Sequence, residues 1–273
     1  MSNLKKAAIM YDFDKTLCTT DMQEYVFIPG VGETPEKFWA DCAELQKKYD
    51  MDGVLAYLYF IIRKARGNLL LTKKSLVEQG RHIKFFDGVT EWFDRINAYA
   101  AGIGLLAEHY VISSGLKSII EGSAVADKFK KIFACEFCYD KDGVPFWPAV
   151  AVNFTEKTQY LFRISKGSMD IKDALTVNRA VPQEKLYVPF CDMIYIGDGI
   201  TDVPSMKLTK NYGGYSLGVY TDASRENAQI LIDEGRVNAI APADYREGGE
   251  ADLLIKARLR HIAGIKDCPH EIK

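Results

Sequence analysis

Two aspartates, Asp12 and Asp14, directly follow an apolar segment near the start of the chain, in the sequence DFDKT. The chain contains three Asp-x-Asp triplets and its composition would produce about 1.6 by chance, so the spacing alone carries little information. Position distinguishes this pair, because only it comes directly after a segment with the pattern of a buried strand. We therefore expect both carboxylates at the edge of a sheet where ligands bind; an acidic pair that only caps a turn is the alternative.

A second acidic motif, GDGITD at residues 197–202, follows another apolar segment. A Gly-Asp-Gly-x-x-Asp pattern would arise by chance only about 0.01 times in this composition, so this motif is specific. The glycines on either side of Asp198 allow the backbone to turn sharply and to approach a ligand closely. We expect Asp198 and Asp202 to face the first aspartate pair across the gap between neighbouring strands.

Four carboxylates in one cleft repel one another by about 4 kcal/mol per pair at ~4 Å and an effective dielectric constant of ~20. A positive charge must therefore lie among them. A divalent cation that prefers oxygen ligands meets this requirement, and Mg²⁺ typically combines a few carboxylates with water and a substrate phosphate. The alternative, carboxylates that are only solvated at a rim, would require them to point apart.

A phosphate-binding group is expected at Ser113 and Ser114, which follow an apolar segment in the sequence ISSG. Hydroxyls and free N–H groups ahead of a helix would form an anion site, because a helix N-terminus offers donors and partial positive charge. Serine is also a common helix cap, which is the alternative.

Two lysines compete to neutralise the remaining charge. Lys157 and Lys166 lie at opposite ends of an expected helix over residues 156–166, capped by Thr155, so only one can reach the cleft. Lys166 is favoured by the helix dipole and needs no other explanation, whereas Lys157 is disfavoured in the first turn. We therefore expect Lys157 to be the lysine of the site, with Lys166 as the alternative.

Short apolar segments separated by helix-length stretches supply the strands that would position these residues. They are typical of strands buried on both faces of a parallel sheet and cover residues 7–11, 110–113, 132–137, 193–196 and 215–220. Parallel pairing requires long crossovers, which the intervening segments provide. The sequence therefore predicts an α/β fold with an open parallel sheet, helices on both faces and ligands beyond the carboxyl ends of the strands.

One segment between the first two strands must fold on its own. It contains about seventy residues, too many for a structureless crossover. Apolar residues at helical spacing predict helices over residues 35–49, 54–66 and 72–81. We therefore expect a mostly helical lobe inserted at residues 20–84.

The rest of the chain, residues 1–19 and 85–273, would form the core domain. Within it, the turn dipeptide Asp142-Gly143 lies between apolar segments and predicts a hairpin flap over residues 138–153. No internal repeat or low-complexity tract interrupts this arrangement.

Composition excludes several classes of function. Lys and Arg total 35 and Asp and Glu 37, a formal net charge of −2 that provides no basic surface for nucleic acid or an anionic membrane. The longest apolar run, residues 54–62, is about half of the ~20 residues that a membrane-spanning helix needs. The N-terminal residues lack the features of a secretory signal, so we expect a cytoplasmic protein. Its six cysteines, Cys268 among them, are then reduced thiols, with a zinc or redox site at Cys135 and Cys138 as the alternative.

The motifs DFDKT, ISSG, a lysine and GDGITD occur in this order along the chain. Together they resemble the haloacid dehalogenase (HAD) superfamily and, within it, the phosphoserine-phosphatase-like phosphatases. The resemblance covers about residues 5–20 and 85–225, and the helical lobe corresponds to the cap of that family. It implies a Rossmann-like core and a Mg²⁺-dependent phosphatase that hydrolyses a small phosphomonoester through an aspartyl-phosphate.

The resemblance also implies a role for each residue of the site. Asp12 would be the nucleophile and Asp14 the general acid and base. The residues that bind the phosphoryl group would be Ser113, Ser114 and Lys157. The metal site would comprise Asp12, Asp14 through its main-chain carbonyl, Asp198 and, as a ligand or a close neighbour, Asp202.

Two other functions remain open: a phosphotransferase or mutase of the same superfamily, and a non-catalytic protein that binds a phosphorylated ligand. In each case the partner is a small phosphorylated metabolite. Substrate choice would fall to polar residues of the cap, many of which could instead be solvated helix faces: Asp21, Gln23, Tyr25, Arg63, Lys64, Arg66 and Arg81. Asp21 or Glu24 could meet a substrate amine, as an acidic residue does in phosphoserine phosphatases.

Overall fold

A seven-stranded sheet forms the centre of the protein, whose computed structural model describes residues 4–265. The strands are β1 (Lys5–Tyr11), β2 (Leu105–Leu116), β3 (Lys131–Tyr139), β4 (Pro145–Val150), β5 (Met193–Gly197), β6 (Tyr215–Tyr220) and β7 (Ala239–Pro242). Their order across the sheet is β4-β3-β2-β1-β5-β6-β7, and every pair is parallel except β3 with β4. This topology confirms the predicted α/β fold with a Rossmann-like sheet.

The helices pack around this sheet and are numbered in chain order. They are α1 (Phe27–Gly30), α2 (Pro35–Tyr49), α3 (Gly53–Ala65), α4 (Lys73–Gly80), α5 (Val89–Gly102), α6 (Lys117–Glu121), α7 (Lys157–Lys166), α8 (Ala174–Asn178), α9 (Val203–Asn211), α10 (Arg225–Asp233) and α11 (Glu250–Ile262). Within residues 4–265, no helix is both long and apolar enough to cross a membrane.

Burial explains why the central strands are continuous apolar runs. In β1, the five residues Ala7–Tyr11 are fully buried, and in β5 the same holds for Met193–Ile196. Both strands lie inside the sheet, where helices cover the two faces, so neither face has room for a polar side chain.

Helices α1 to α4 all lie between β1 and α5, in the inserted segment that the sequence predicted to be helical. The three longer ones begin after side chains that accept main-chain N–H groups, namely Thr34, Asp52 and Thr72. These caps satisfy donors that a helix leaves free at its first turn, so they determine where each helix starts. The boundaries between this segment and the core domain stay a prediction.

The strand order reverses at β1, with β2 and β3 on one side and β5, β6 and β7 on the other. Because crossovers between parallel strands are right-handed, the helices of the two halves cover opposite faces of the sheet. Tyr11 at the end of β1 pairs with Val111 of β2 and Ile196 of β5. The residues that follow these three positions therefore meet at one level, at the point in such sheets where ligands bind.

Two features of the sheet differ from the prediction. The second strand continues to Leu116, because it pairs again with Cys135 of β3 after a shift in register, so α6 begins later than expected. The sequence also did not predict β7, a strand of four residues that pairs only with β6 at the edge of the sheet. Such a short strand carries too few residues for a recognisable pattern.

Candidate active site

Asp12 is the first residue beyond β1. Its main-chain N–H donates to the carbonyl of Ile196 in β5 (2.9 Å), which continues the sheet pairing one residue past the strand. The side chain is buried, with 6% of its surface exposed. Because Tyr11 pairs with Val111 of β2 and Ile196 of β5, Asp12 lies between β2 and the end of β5.

Asp14 lies two residues further along the same turn and is half-buried. Its Oδ1 accepts hydrogen bonds from the main-chain N–H of Met22 (2.8 Å) and from the thiol of Cys18 (3.6 Å). Burial, reinforced by the charges of Asp21 and Asp12, raises the pKa of Asp14 well above its usual value. A carboxyl group that keeps its proton in this way can act as a proton donor.

The GDGITD motif forms the turn after β5 and places its two aspartates differently. Asp198 is half-buried, whereas Asp202 is fully buried. A Cβ on Gly197 would lie 2.5 Å from Asp202 Oδ2, so the absence of a side chain allows this close approach. Asp202 Oδ1 accepts a hydrogen bond from the Tyr195 hydroxyl (2.8 Å), while Oδ2 is buried with no hydrogen-bond partner.

Lys157 contributes the positive charge of this cluster. Its buried ammonium donates to Asp12 Oδ1 (2.8 Å) and to Asp202 Oδ1 (2.7 Å). Burial by itself lowers the pKa of Lys157, but the two carboxylates outweigh it, so the pKa lies above its usual value. Lys166 lies at the other end of α7 and donates to two main-chain carbonyls there. The structure thus brings Lys157, and not Lys166, to the aspartates.

The expected Thr155 cap of the helix that carries Lys157 was wrong, because the cap position is Glu156, which makes no side-chain capping bond. Asn153 instead holds the turn just before the helix. Asn153 Oδ1 accepts from the N–H groups of Thr155 (3.1 Å) and Glu156 (2.9 Å). Its Nδ2 donates to Asp52 (3.2 Å), the residue that caps α3. Asn153 therefore orders the turn before α7 and links it to the helical segment.

Ser113 and Ser114 lie within β2. The buried Ser113 Oγ accepts a hydrogen bond from the N–H of Gly115 (2.9 Å), and the Ser114 carbonyl accepts one from the Tyr57 hydroxyl (2.6 Å). Both serines line the cleft that holds the aspartates. The predicted helix N-terminus directly after them was wrong, because α6 begins only at Lys117 and has five residues. The serine pair therefore contributes its own polar groups and no helix dipole.

The aspartates are not neutralised by one lysine. Burial and the charge of Asp202 raise the pKa of Asp12 to about 7, against the opposing effect of Lys157. Burial and the charge of Asp12 raise the pKa of Asp198 to about 8. The cluster therefore favours any further positive charge that enters it.

Three of these carboxylates could hold a divalent metal ion. One oxygen each from Asp12, Asp198 and Asp202 lie within 4.8 Å of one another. Carboxylate oxygens are the ligands that Mg²⁺ prefers, and the buried Asp202 Oδ2 has no other partner, so the residues present fit this ion. The carboxylate of Asp14 is not part of this group; its expected metal contact through the main-chain carbonyl stays a prediction.

The site lies in a cleft of about 440 Å³. Its lining residues are Asp12, Asp14, Lys15, Asp21, Ser113, Ser114, Lys157, Asp198, Gly199, Ile200, Thr201, Ser224, Asn227 and Leu231. Of the cap residues that could select a substrate, Asp21 is in this lining, and its carboxylate pairs with Lys15 (2.7 Å). The other six, and Glu24, are not among the lining residues.

Sequence reasoning missed several groups in and beside the cleft. Lys15 belongs to the first motif, and its left-handed backbone (φ 56°) turns the chain at this point, so the motif itself could have drawn attention to it. Tyr195 is one of five consecutive buried residues of β5, and Ser224 and Asn227 lie near the start of α10, so no local pattern singles them out. Only the packing of distant segments brings them here.

The cysteines were predicted to be reduced thiols, with a zinc or redox site at Cys135 and Cys138 as the alternative. The five in residues 4–265 are free thiols, and Cys268 lies outside the described residues. Cys135 is buried and donates to the carbonyl of Ser114 (3.1 Å), and Cys138 is half-buried. Within the described range, the side chains grouped closely enough for a metal ion are the three aspartates, so the zinc alternative at Cys135 and Cys138 gains no support.

Solved structures that are similar to this chain include a hydrolase and two phosphatases. A HAD family hydrolase from Salmonella enterica serovar Typhi matches 94% of this chain and 72% of its own, at 15% identity and a TM-score of 0.56. A substrate-bound phosphoserine phosphatase matches 93% of this chain and 98% of its own, at 16% identity and a TM-score of 0.55. A phosphoserine phosphatase with an analogue of a phospho-aspartyl intermediate matches 93% of this chain and 99% of its own, at 15% identity and a TM-score of 0.54.

A closer relative comes from the curated proteins, whereas no model of a protein family matches the chain. An uncharacterized protein of Borreliella burgdorferi is 30% identical over 270 residues, which cover 88% of this chain and 92% of that protein. This degree of identity over nearly the whole length indicates common ancestry. The chain therefore belongs to one family with the Borreliella burgdorferi protein, and its fold is that of the HAD superfamily in the phosphoserine-phosphatase-like form.

Proposed function

We propose that this protein is a Mg²⁺-dependent phosphatase that hydrolyses a small phosphomonoester through an aspartyl-phosphate on Asp12. The observation that carries the proposal is the buried cluster in which Lys157 joins Asp12 to Asp202 beside Asp198, at the carboxyl ends of β1 and β5. Buried charges are expensive unless they serve a ligand or one another, and this cluster has more negative groups than its lysine offsets. Phosphoryl transfer to an aspartate uses this combination, a carboxylate nucleophile beside a site for a cation that offsets the charge of the phosphoryl group.

In the first half of the reaction, a carboxylate oxygen of Asp12 attacks the phosphorus of the ester. The P–O bond to the alcohol breaks, and Asp14 gives its proton to the leaving oxygen. Ser113 and Lys157 border the space where the phosphoryl group transfers, so they can bind its oxygens. The products of this half are the free alcohol and a phosphorylated Asp12.

In the second half, Asp14, now a carboxylate, accepts a proton from a water molecule. That water attacks the phosphorus, the bond to Asp12 breaks, and inorganic phosphate leaves with both side chains restored. When bound by Asp12, Asp198 and Asp202, with the main-chain carbonyl of Asp14, Mg²⁺ would offset negative charge on the transferring group. A solved phosphoserine phosphatase with a phospho-aspartyl intermediate analogue supports this route.

The partner in this proposal is a small phosphorylated metabolite. The cleft of about 440 Å³ accommodates a molecule of metabolite size. We also propose a cytoplasmic location, because the five cysteines of the described residues are all unpaired, as is usual for proteins of a reducing compartment.

The test is release of inorganic phosphate from p-nitrophenyl phosphate, with and without Mg²⁺. We expect turnover to depend on Mg²⁺. The Asp12→Asn variant should lower the turnover rate by more than about a thousandfold, because the amide is a poor nucleophile. Asp142→Asn is the matched control, since Asp142 belongs to another Asp-x-Asp triplet and is exposed on the turn before β4. Turnover retained in Asp12→Asn, or equal loss in both variants, would contradict the proposal.

The same assay separates hydrolysis from phosphoryl transfer. In ¹⁸O-labelled water, a phosphatase incorporates one labelled oxygen into each phosphate that it releases. If phosphate instead moved to an added alcohol and none formed in water alone, the protein would be a phosphotransferase or mutase.

A further inference from the structure

An apolar groove lies directly beside the cleft. It has a volume of about 420 Å³ and is lined by Phe154, Ile200, Val203, Pro204, Asn227, Ile230, Leu231, Glu234 and Arg236. Its two charged residues, Glu234 and Arg236, pair with each other (3.0 Å), so the groove offers no net charge to a ligand. The rest of the groove lining is apolar, apart from the side-chain amide of Asn227.

The groove and the cleft share part of their lining. Ile200, Asn227 and Leu231 border both spaces. Ile200 stands in the GDGITD motif between Asp198 and Asp202, so the border shared by the two spaces lies next to the proposed reaction centre. A molecule whose phosphoryl group occupies the cleft can therefore extend into the groove.

The side chains along the groove leave large apolar surfaces in solvent. Ile200 is 79% exposed, Phe154 53% and Ile230 51%, and they come from the GDGITD turn, the segment before α7, and α10. Isolated exposed apolar side chains are common, but three from separate segments around one concave surface indicate a binding site. On another part of the cleft, Lys15 and Asp21 form an ion pair that would disfavour an apolar group.

We propose that the substrate is a phosphomonoester whose alcohol carries an uncharged apolar portion, and that this portion binds in the groove against Ile200, Phe154 and Ile230. The inference rests on the proposed function, since it assigns the leaving group of the same reaction. It makes the groove the determinant of substrate choice, through the area of apolar surface that leaves water.

A series of straight-chain alkyl phosphates from ethyl to hexyl tests the inference. These esters have leaving groups of nearly equal acidity, so a change in kcat/KM along the series reports binding of the chain. We expect kcat/KM to rise about two- to fourfold for each methylene that the groove removes from water. A rate that does not change with chain length would overturn the inference.

Ile230→Ser separates the groove from the reaction centre, because Ile230 lines the groove and is not among the residues of the cleft. We expect this variant to lower kcat/KM for hexyl phosphate about fivefold and to leave ethyl phosphate within about twofold of the native rate. Leu253→Ser is the matched control, since Leu253 is 58% exposed on another helix, α11, and outside the groove. Equal effects of the two variants would overturn the inference.

Binding of alkylphosphonates of the same lengths keeps this test independent of turnover. These compounds cannot be hydrolysed, and calorimetry measures their affinity directly. If no ester is hydrolysed while phosphonate affinity rises with chain length and falls in Ile230→Ser, the proposed function fails and the groove assignment stands. If esters are hydrolysed and neither measurement depends on chain length, the groove assignment fails and the proposed function stands.

Discussion

At the scale of single residues, the site contains more negative than positive charge. Lys157 is one positive charge among Asp12, Asp198 and Asp202, and it makes its two short contacts with the two most buried of them. Tyr195 adds a neutral donor to Asp202 on the same oxygen that Lys157 contacts. Because burial weakens the competition from water, removing Lys157 leaves buried negative charge on Asp12 and Asp202 that the neutral Tyr195 hydroxyl does not offset.

The first residue-scale prediction concerns Lys157→Met in protein free of divalent cations. We expect the free energy of unfolding to fall by about 3–5 kcal/mol, because a buried ion pair loses one partner. Urea denaturation measures this change. Lys166→Met, at the other end of α7, is the matched control and loses only hydrogen bonds to main-chain carbonyls, so we expect about 1 kcal/mol there. Equal losses would mean that Lys157 stabilises only its helix.

The second residue-scale prediction concerns the protonation of two expected metal ligands, Asp12 and Asp198. The pKa of Asp12 is raised to about 7 and that of Asp198 to about 8, so both are partly protonated at pH 7 without a metal ion. Mg²⁺ binds the ionised forms, so we expect its binding to release protons and its apparent affinity to increase between pH 6 and pH 8. Calorimetry in buffers with different ionisation enthalpies counts the protons. An affinity that is constant across this range would contradict the assignment of these two ligands.

At the scale of elements, the site depends on how closely strand ends and turns approach one another. Gly115 in β2 lies against the Asp14 turn, where a Cβ would come within 2.0 Å of the Met22 side chain and 2.9 Å of Asp14 Oδ2. Gly197 at the end of β5 lies against Asp202 in the turn that follows. Both contacts bring an aspartate close to the main chain of a strand, which only a residue without Cβ permits.

The element-scale prediction compares two glycines of one turn. Gly197→Ala would place a Cβ 2.5 Å from Asp202 Oδ2, whereas a Cβ at Gly199 would meet nothing within 4 Å. We expect Gly197→Ala to lower the free energy of unfolding by about 1–3 kcal/mol through overpacking and to weaken Mg²⁺ binding by displacing Asp202. Gly199→Ala should leave the free energy of unfolding and the Mg²⁺ affinity nearly unchanged. Urea denaturation measures the change in stability, and titration with Mg²⁺ measures the change in affinity. Larger losses in Gly199→Ala than in Gly197→Ala would show that Asp202 is not held against β5.

At the scale of the whole molecule, the helical segment packs on α6 through direct main-chain contact. A Cβ on Gly122 would lie 1.7 Å from the carbonyl oxygen of Val77, and one on Gly80 2.1 Å from that of Ile119. Helix α4 therefore packs on α6 without intervening side chains at these points. With the bond between Asn153 and Asp52, this contact determines where the segment stands relative to the cleft.

The whole-molecule prediction is a pH dependence of stability that comes from the core. His109 is buried against Tyr11 and Asn97, and burial lowers its pKa to about 3. The unfolded chain binds a proton at its ordinary pKa of about 6.5 while the folded protein does not, so this residue removes stability as the pH falls from 6.5 towards 3. The loss approaches about 1.4 kcal/mol per pH unit.

Comparison of the native protein with His109→Gln isolates this contribution, because the raised pKa values of the site aspartates are common to both. We expect the native protein to lose more stability than the variant between pH 6.5 and pH 4.5, measured by urea denaturation at each pH. Parallel curves would mean that His109 is protonated in the folded protein.

Local patterns were sufficient for most of the sheet and for the aspartates of the site. Continuous apolar runs identified β1, β5 and β6, because the parts of a strand that are buried on both faces are mostly apolar, with Ser216 of β6 as a buried exception. Asp12 and Asp198 follow two of these runs directly, and strand ends of a parallel sheet meet at one edge, so their convergence was predictable from the sequence.

Tertiary structure alone decided the remaining features. The segment after Ser113 stays in β2 because it pairs with β3, and this long-range pairing overrides the local preference for a helix start. Tyr195 has no distinguishing pattern among the buried residues of β5, and the groove joins three segments far apart in the sequence. Sequence spacing determines which residues share a strand or a helix, whereas the distances between such elements depend on packing across the whole molecule, which no single segment encodes.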